Sequence, residues 1–233
     1  HCYSISADID FAGELSKDEV FRVMDDLKAF RVPALILSGG EPLLRPDIFD
    51  IAGRAKELRF YTALSSNGTL VDDAMADRIA EIGFDYVGVS LDGLGEVHDR
   101  FRRKPGAFTA SLAGIRRLHA RGVKVGVRYT MTSDNASQLR GLLQLVEDEG
   151  IDKFYFSHLN YAGRGNRNRA HDAEFRATRD AMDLLFDTCH RHAVSGVHKE
   201  FVTGNNDADA VYLLHWVRRR FPEKEAHPVQ QVD

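Results

Sequence analysis

The chain has 233 residues, 43% apolar and 28% charged, which suits one large α/β domain or two small ones with a buried core. Its 31 basic and 35 acidic residues leave a net charge of −4, which argues against a dedicated nucleic-acid binder. No apolar run approaches the ~20 residues of a membrane span and no signal-peptide pattern opens the chain. Cys2 and Cys189 give no disulfide framework, so a reducing, cytoplasmic setting is expected.

The opening HCYSI has no methionine, as expected of a chain cut from a longer one. The first helix begins SKDEVFRVMDDLKAF, with Ser16 and Glu19 spaced as a capping box. Val20, Val23, Met24, Leu27 and Phe30 share one face of it. Then come a strand over 34–38, a helix from about Asp47, a strand over 61–65, and a helix over 72–82 ending at Gly83, a plausible left-handed cap. A strand over 85–91 precedes a helix carrying Phe108, Leu112, Ile115 and Leu118. A strand over 123–131 precedes a helix carrying Leu139, Leu142, Leu143 and Val146. The last expected strand, over 153–159, leads to a long helix over 172–193. Successive βα units predict a parallel sheet covered by helices, with strands buried on both faces. A doubly wound sheet and a partial barrel both fit that pattern, and in either the ligands gather at the C-terminal ends of the strands.

The expected strand ends carry SGGEP, SSNGT, SLDG, RYT and HLNYAGRG. In LSGGEPL the glycines permit close backbone approach, whereas Glu41 can only accept hydrogen bonds when ionised, so the ligand group there is a donor such as an ammonium. Arg128 inside a strand calls for an anionic partner, and its fork suits a carboxylate. Asp92 would meet hydroxyls. Together these ends form a rim for one ligand with an amine, a carboxylate and vicinal hydroxyls. Asn67-Gly68 and Asp92-Gly93 also have a plain reading as turns.

The order HCY, GGEPL, SNG, SLDG resembles the radical S-adenosylmethionine (SAM) superfamily, and GEVHDRFRRKPGAF resembles the branch with SPASM-type C-terminal extensions. The resemblance implies a partial (β/α)6 TIM-like barrel with a 4Fe–4S cluster and SAM as cofactors. The core would cover residues 1–195 and the start of a C-terminal extension residues 196–233. By that resemblance Cys2 is the third ligand of a Cys-x3-Cys-x2-Cys cluster loop, whose other cysteines would precede it, so this stretch alone is not expected to hold the cluster. Gly39, Gly40 and Glu41 would hold the SAM amine, and Ser90 and Arg128 its carboxylate. Asp92 and Asn67 would lie near the ribose, and Leu159 would flank the adenine.

In the family, reduction of SAM yields a 5′-deoxyadenosyl radical that abstracts hydrogen. YSISADIDFAGELS and the stretch 204–228 resemble the heme d1 biosynthesis members. That implies removal of propionate side chains from didecarboxysiroheme, with an electron donor such as a flavodoxin or ferredoxin. Arg164, Arg167 and Arg169 in YAGRGNRNR, with the run FRRK at 101–104, suit such a polycarboxylate; the plain alternative is solvated loop charge. A related heme-pathway decarboxylase, a peptide-modifying maturase, and a non-enzymatic tetrapyrrole- or nucleotide-binding barrel stay open. Cys189, His190 and His192 in TCHRH do not converge on one helical face as metal ligands would, and His215 suits a packed helix.

Overall fold

The computed structural model describes residues 13–222. The capping box forms: the Ser16 N–H donates to Glu19 Oε2 at 2.8 Å, and Ser16 Oγ accepts from the Glu19 N–H at 3.4 Å. This starts α1, Lys17–Ala29, whose Met24 packs with Ile51, Ala55 and Phe60 in a small core beneath it.

Strand–helix alternation then runs as expected: β1 (Ala34–Leu37), α2 (Ile48–Glu57), β2 (Tyr61–Ser66), α3 (Asp73–Ile82), β3 (Tyr86–Ser90), α4 (Glu96–Arg102), α5 (Ala107–His119), β4 (Val125–Thr130), α6 (Leu139–Asp148), β5 (Lys153–Ser157), α7 (Gly163–Arg167), α8 (Phe175–Val194), β6 (Glu200–Gly204) and α9 (Ala208–Arg220). All strand pairs are parallel, in the sheet order β1-β2-β3-β4-β5-β6. Strict sequential order is that of a barrel wall; a doubly wound sheet would reverse direction at a switch point. The fold is thus an α/β half-barrel of parallel strands. Gly83 does take the left-handed cap after α3, with φ 69°.

Two features depart from the sequence expectation. β6, α4 and α7 have no counterpart among the expected elements. The strands are also not buried alike on both faces. Val87, Val89, Val125, Val127, Phe154 and Phe156 enter the main core beneath the helices. The alternate positions face inward and are polar or small: Tyr86, Gly88 and Ser90 on β3, Gly126, Arg128 and Thr130 on β4, Lys153, Tyr155 and Ser157 on β5. Period-two alternation is what a strand with one solvated face requires. On the inner face Lys153 lies 4.9 Å above the Tyr86 ring, and Arg128 lies 5.1 Å from the Tyr155 ring centroid. Gly88 and Gly126 make room for these groups: a Cβ at Gly88 would meet Arg128 Cδ at 2.8 Å, and one at Gly126 the Tyr86 hydroxyl at 2.6 Å.

Candidate active site

A cleft of about 560 Å³ lies at the C-terminal ends of the strands. Its floor runs from Gly39 and Gly40 after β1, through Ser65 and Ser66 of β2 with Asn67 just after it, Ser90 of β3 and Arg128 of β4, to Tyr155 and Ser157 of β5 with Leu159 beyond it. One wall is the basic stretch 100–103, the other the loop containing Asn160, Asn168 and His171. Most of the strand-end residues picked from sequence therefore meet in one place.

Gly39 and Gly40 border open space, with nothing within 4 Å of a Cβ built on either. A backbone kept bare beside an open cleft suits close approach by a ligand. Glu41 is placed differently from the expectation of a free acceptor. Its Oε1 accepts from Ser66 Oγ at 2.8 Å and from the Leu43 N–H at 3.2 Å, while Oε2 accepts from the Asn67 N–H at 2.7 Å. The carboxylate thus ties the β1 loop to the end of β2, with three of its roughly four acceptor sites taken, and it is not among the residues that line the cleft. The Asn67 side chain is turned to its own loop, accepting from the N–H and hydroxyl of Thr69 at 2.8 Å each.

Asp92 is fully buried and does not line the cleft. Its Oδ1 accepts from the Thr130 N–H at 2.9 Å, which bonds the β3 end to β4. Its Oδ2 makes an ion pair with Arg102, without the alignment of a hydrogen bond. The expectation that Asp92 meets a ribose directly is therefore replaced here by an internal role. Arg128 does face the cleft: its Nη1 donates to Ser65 Oγ at 2.7 Å, and the rest of the fork is left for a ligand.

The segment after SLDG proves to be a brace. His98 of α4 is buried, and its Nδ1 accepts from the Asp92 N–H at 3.0 Å, which requires that nitrogen to be unprotonated. Asp99 accepts from the N–H groups of Gly106 and Phe108 at 2.6 and 2.8 Å, fixing the start of α5. Arg100 and Arg103 are left exposed at the mouth. Burial is the main force that pushes the His98 pKa down from 6.5 to about 4; the Asp92 charge opposes it and that of Arg102 assists it. A base depressed in the folded state stabilises the fold above pH 6.5, and that stability is lost as pH falls from 6.5 towards 4. The loss should amount to about 3 kcal/mol, to order of magnitude. Urea unfolding of the wild type at pH 7 and pH 4.5 should show much of it, and His98→Gln should flatten the difference.

Of the arginines expected to contact the substrate, Arg167 and Arg169 are exposed and do not line the cleft. Arg169 stacks over the Tyr161 ring at 4.4 Å. The backbone of Arg164 lies in the first turn of α7, and its side chain lies outside the described part of the structure. Cys2 also lies outside the described residues, among which no group of three metal-ligating side chains occurs. Cys189 is exposed on α8, and burial of its surroundings raises its thiol pKa.

Sequence reasoning passed over Tyr155, Ser157 and Asn205, which line the cleft together with His158 of the strand-end stretch HLNYAGRG. The alternation in KFYFS was a signal for the first two. Asn205 follows β6 and had none.

Comparison with known proteins agrees with this architecture. Residues 1–146 match the Radical SAM superfamily. Pre-heme d1 synthase of Dinoroseobacter shibae is 56% identical over 95% of this chain and 55% of its own length. Fe-coproporphyrin III synthase of Methanosarcina barkeri is 38% identical over 97% of this chain and 57% of its own. The chain thus spans little more than half the length of these relatives. Among solved structures, Streptococcus suis SuiB bound to S-adenosylmethionine superposes with a TM-score of 0.72 at 15% identity, over 95% of this chain and 49% of that one. Native anSMEcpe with bound AdoMet gives 0.67 at 18% identity, over 85% and 58%. At such identities these two establish the fold.

Proposed function

Because this chain belongs to the radical SAM superfamily, an enzyme family whose cofactors are a 4Fe–4S cluster and SAM, we propose that the intact protein acts in heme d1 biosynthesis on an iron tetrapyrrole. In this proposal it removes propionate side chains of didecarboxysiroheme in the cytoplasm, with electrons from a flavodoxin- or ferredoxin-type donor. The pre-heme d1 synthase relative supports the pathway, and the Fe-coproporphyrin III synthase relative supports the substrate class.

The described residues fit SAM. The bare glycines beside open space suit its methionine backbone, Glu41 ties the loop that carries them to the end of β2, and Arg128 offers the rest of its fork to the carboxylate. Ser90 sits next to Arg128 in the strand register, within reach of the same carboxylate. Asn67 and Leu159 border the remaining floor, as the ribose and adenine would need. Asp92 would act on the ribose end through the geometry of β3 and β4. For the cluster, the ligand proposed in this chain is Cys2. When bound, the pair supplies hydrogen abstraction; the protein's own part is to orient both reactants and exclude water.

One observation carries the substrate reading. The lining of the cleft holds Arg100, Arg102, Arg103 and Arg128, and among the described residues its one acidic side chain is Asp134, which pairs with His171 at 3.0 Å. Arg102 is neutralised by Asp92, and Arg100 is held only by exposed Glu96 at 3.4 Å. A chain of net charge −4 thus concentrates positive charge over its strand ends, which favours a polyanion such as a tetrapyrrole polycarboxylate. The anion contacts then move from the α7 segment to α4, with Arg167 and Arg169 kept as an outer basic rim.

Arg100→Gln with Arg103→Gln should weaken didecarboxysiroheme binding by the full-length protein about tenfold, since each exposed ion pair is worth under about 1 kcal/mol. Arg167→Gln with Arg169→Gln should do less, and SAM affinity should be unchanged in both. Absorbance titration decides it. Equal affinity in the wild type and the Arg100/Arg103 variant would remove the charge argument.

A further inference from the structure

Asp209 is an acidic side chain that the reading above leaves without a task. It lies near the start of α9, is only 7% exposed, and faces His158, the first residue after β5. His158 Nε2 stands 2.9 Å from Asp209 Oδ1 and 3.0 Å from Oδ2, so that nitrogen carries a proton shared between the two oxygens. The imidazole also stands edge-on to the Phe156 ring, with centroids 5.0 Å apart. Its plane is therefore fixed from two sides. The helix N-terminus favours the carboxylate without a further cation.

A pin that merely docks α9 on β5 would need nothing more. His158, however, also borders the cleft, and its Nδ1 meets no protein partner among the described residues. With Nε2 committed to Asp209, Nδ1 is the ring nitrogen left for a ligand. Its surroundings are polar: Ser157, Asn160 and Asn205 line the same end, and Asn205 Nδ2 donates to Ser157 Oγ at 2.7 Å. This end is separated from Gly39 and Gly40 by four strand spacings, roughly 19 Å along the sheet. If the methionine and ribose of SAM occupy the β1–β4 side and its adenine reaches Leu159, the polar end formed by Ser157, His158 and Asn205 is left to the substrate.

We infer that His158, positioned by Asp209, contacts a carboxyl group of the substrate through Nδ1. A carboxyl group matches either state of the ring. As a carboxylate it accepts from a protonated Nδ1; as an acid it donates to a bare one. In both cases one proton lies between imidazole and carboxyl, and Asp209 holds the far side unchanged. His158 is thus a substrate contact and Asp209 a positioning residue. The inference rests on the tetrapyrrole reading, whose failure the test separates from its own.

The test is absorbance titration of the full-length protein with didecarboxysiroheme and, in parallel, with its methyl ester, which has the same macrocycle and no free carboxyl groups. His158→Ala should weaken binding of the acid about tenfold, the size of one hydrogen bond to a charged group, and leave the ester unchanged. His158→Gln should fall between, and Asp209→Asn should repeat the pattern more weakly in protein that still shows a cooperative thermal transition. If Asp209→Asn does not fold, the two His158 variants decide the matter alone. Equal losses for acid and ester, or no loss for either, would overturn the inference and return the pair to a docking role. A wild type that binds neither compound would instead overturn the substrate reading, and this inference with it.

Discussion

Replacing Cys2 by alanine in the full-length protein is expected to abolish both the iron–sulfur cluster and SAM cleavage. The chain has only one other cysteine, Cys189, and it stands on α8 on the outer side of the sheet, exposed and with a raised thiol pKa. A thiol that resists ionisation is a poor iron ligand, because the thiolate is the ligand. Its neighbours give it no help: His190 packs against Trp216 and Phe221, and His192 is engaged by Glu147 at 2.9 Å. Cys189→Ala should therefore leave iron content and cleavage intact. The measurements are iron per protein and 5′-deoxyadenosine formed after anaerobic reduction. A Cys2→Ala protein that keeps its cluster would detach Cys2 from the site.

Asp92→Ala should cost about 3–5 kcal/mol of stability, the range for removing one partner of a buried ion pair. The change strips Thr130 of its hydrogen-bond acceptor and leaves Arg102, whose side chain is 24% exposed, without its anion. Asp92→Asn is the milder case: Oδ1 can still accept from Thr130, but the charge facing Arg102 is gone. Urea unfolding at pH 7 measures both. Were Asp92 instead an exposed ribose contact, Asp92→Ala would lower SAM affinity while leaving the unfolding midpoint in place. The structure predicts the opposite order, a large loss of stability with the SAM effect following from it.

The contrast shows what a linear sequence carries. The βα order was legible because apolar periodicity reports which residues pack, and the helices over α2, α3, α5 and α6 fall where Ile48, Ile79, Ile115 and Leu142 required them. β6 was not legible: EFVTG is short and half-exposed at the sheet edge, with no strong apolar run to mark it. Apart from Arg128, the polar inner face was also missed, since valines and phenylalanines dominate the strands and hide the alternate Tyr86, Lys153 and Tyr155. The strand-end rule placed Gly39, Ser90 and Arg128 correctly in one cleft. It could not tell that Glu41 and Asp92 spend their oxygens on neighbouring backbone and side chains, because the direction in which a carboxylate turns depends on contacts across strands. The basic wall was visible as FRRK, but its separation from YAGRGNRNR needed the position of α4.

Incubating the intact, reduced protein with SAM and didecarboxysiroheme without oxygen, then measuring 5′-deoxyadenosine and the tetrapyrrole mass together, tests the proposed activity most directly. The proposed activity predicts 5′-deoxyadenosine formed in step with loss of propionate side chains from the tetrapyrrole. SAM left intact, or 5′-deoxyadenosine accumulating while the tetrapyrrole mass stays unchanged, would contradict it.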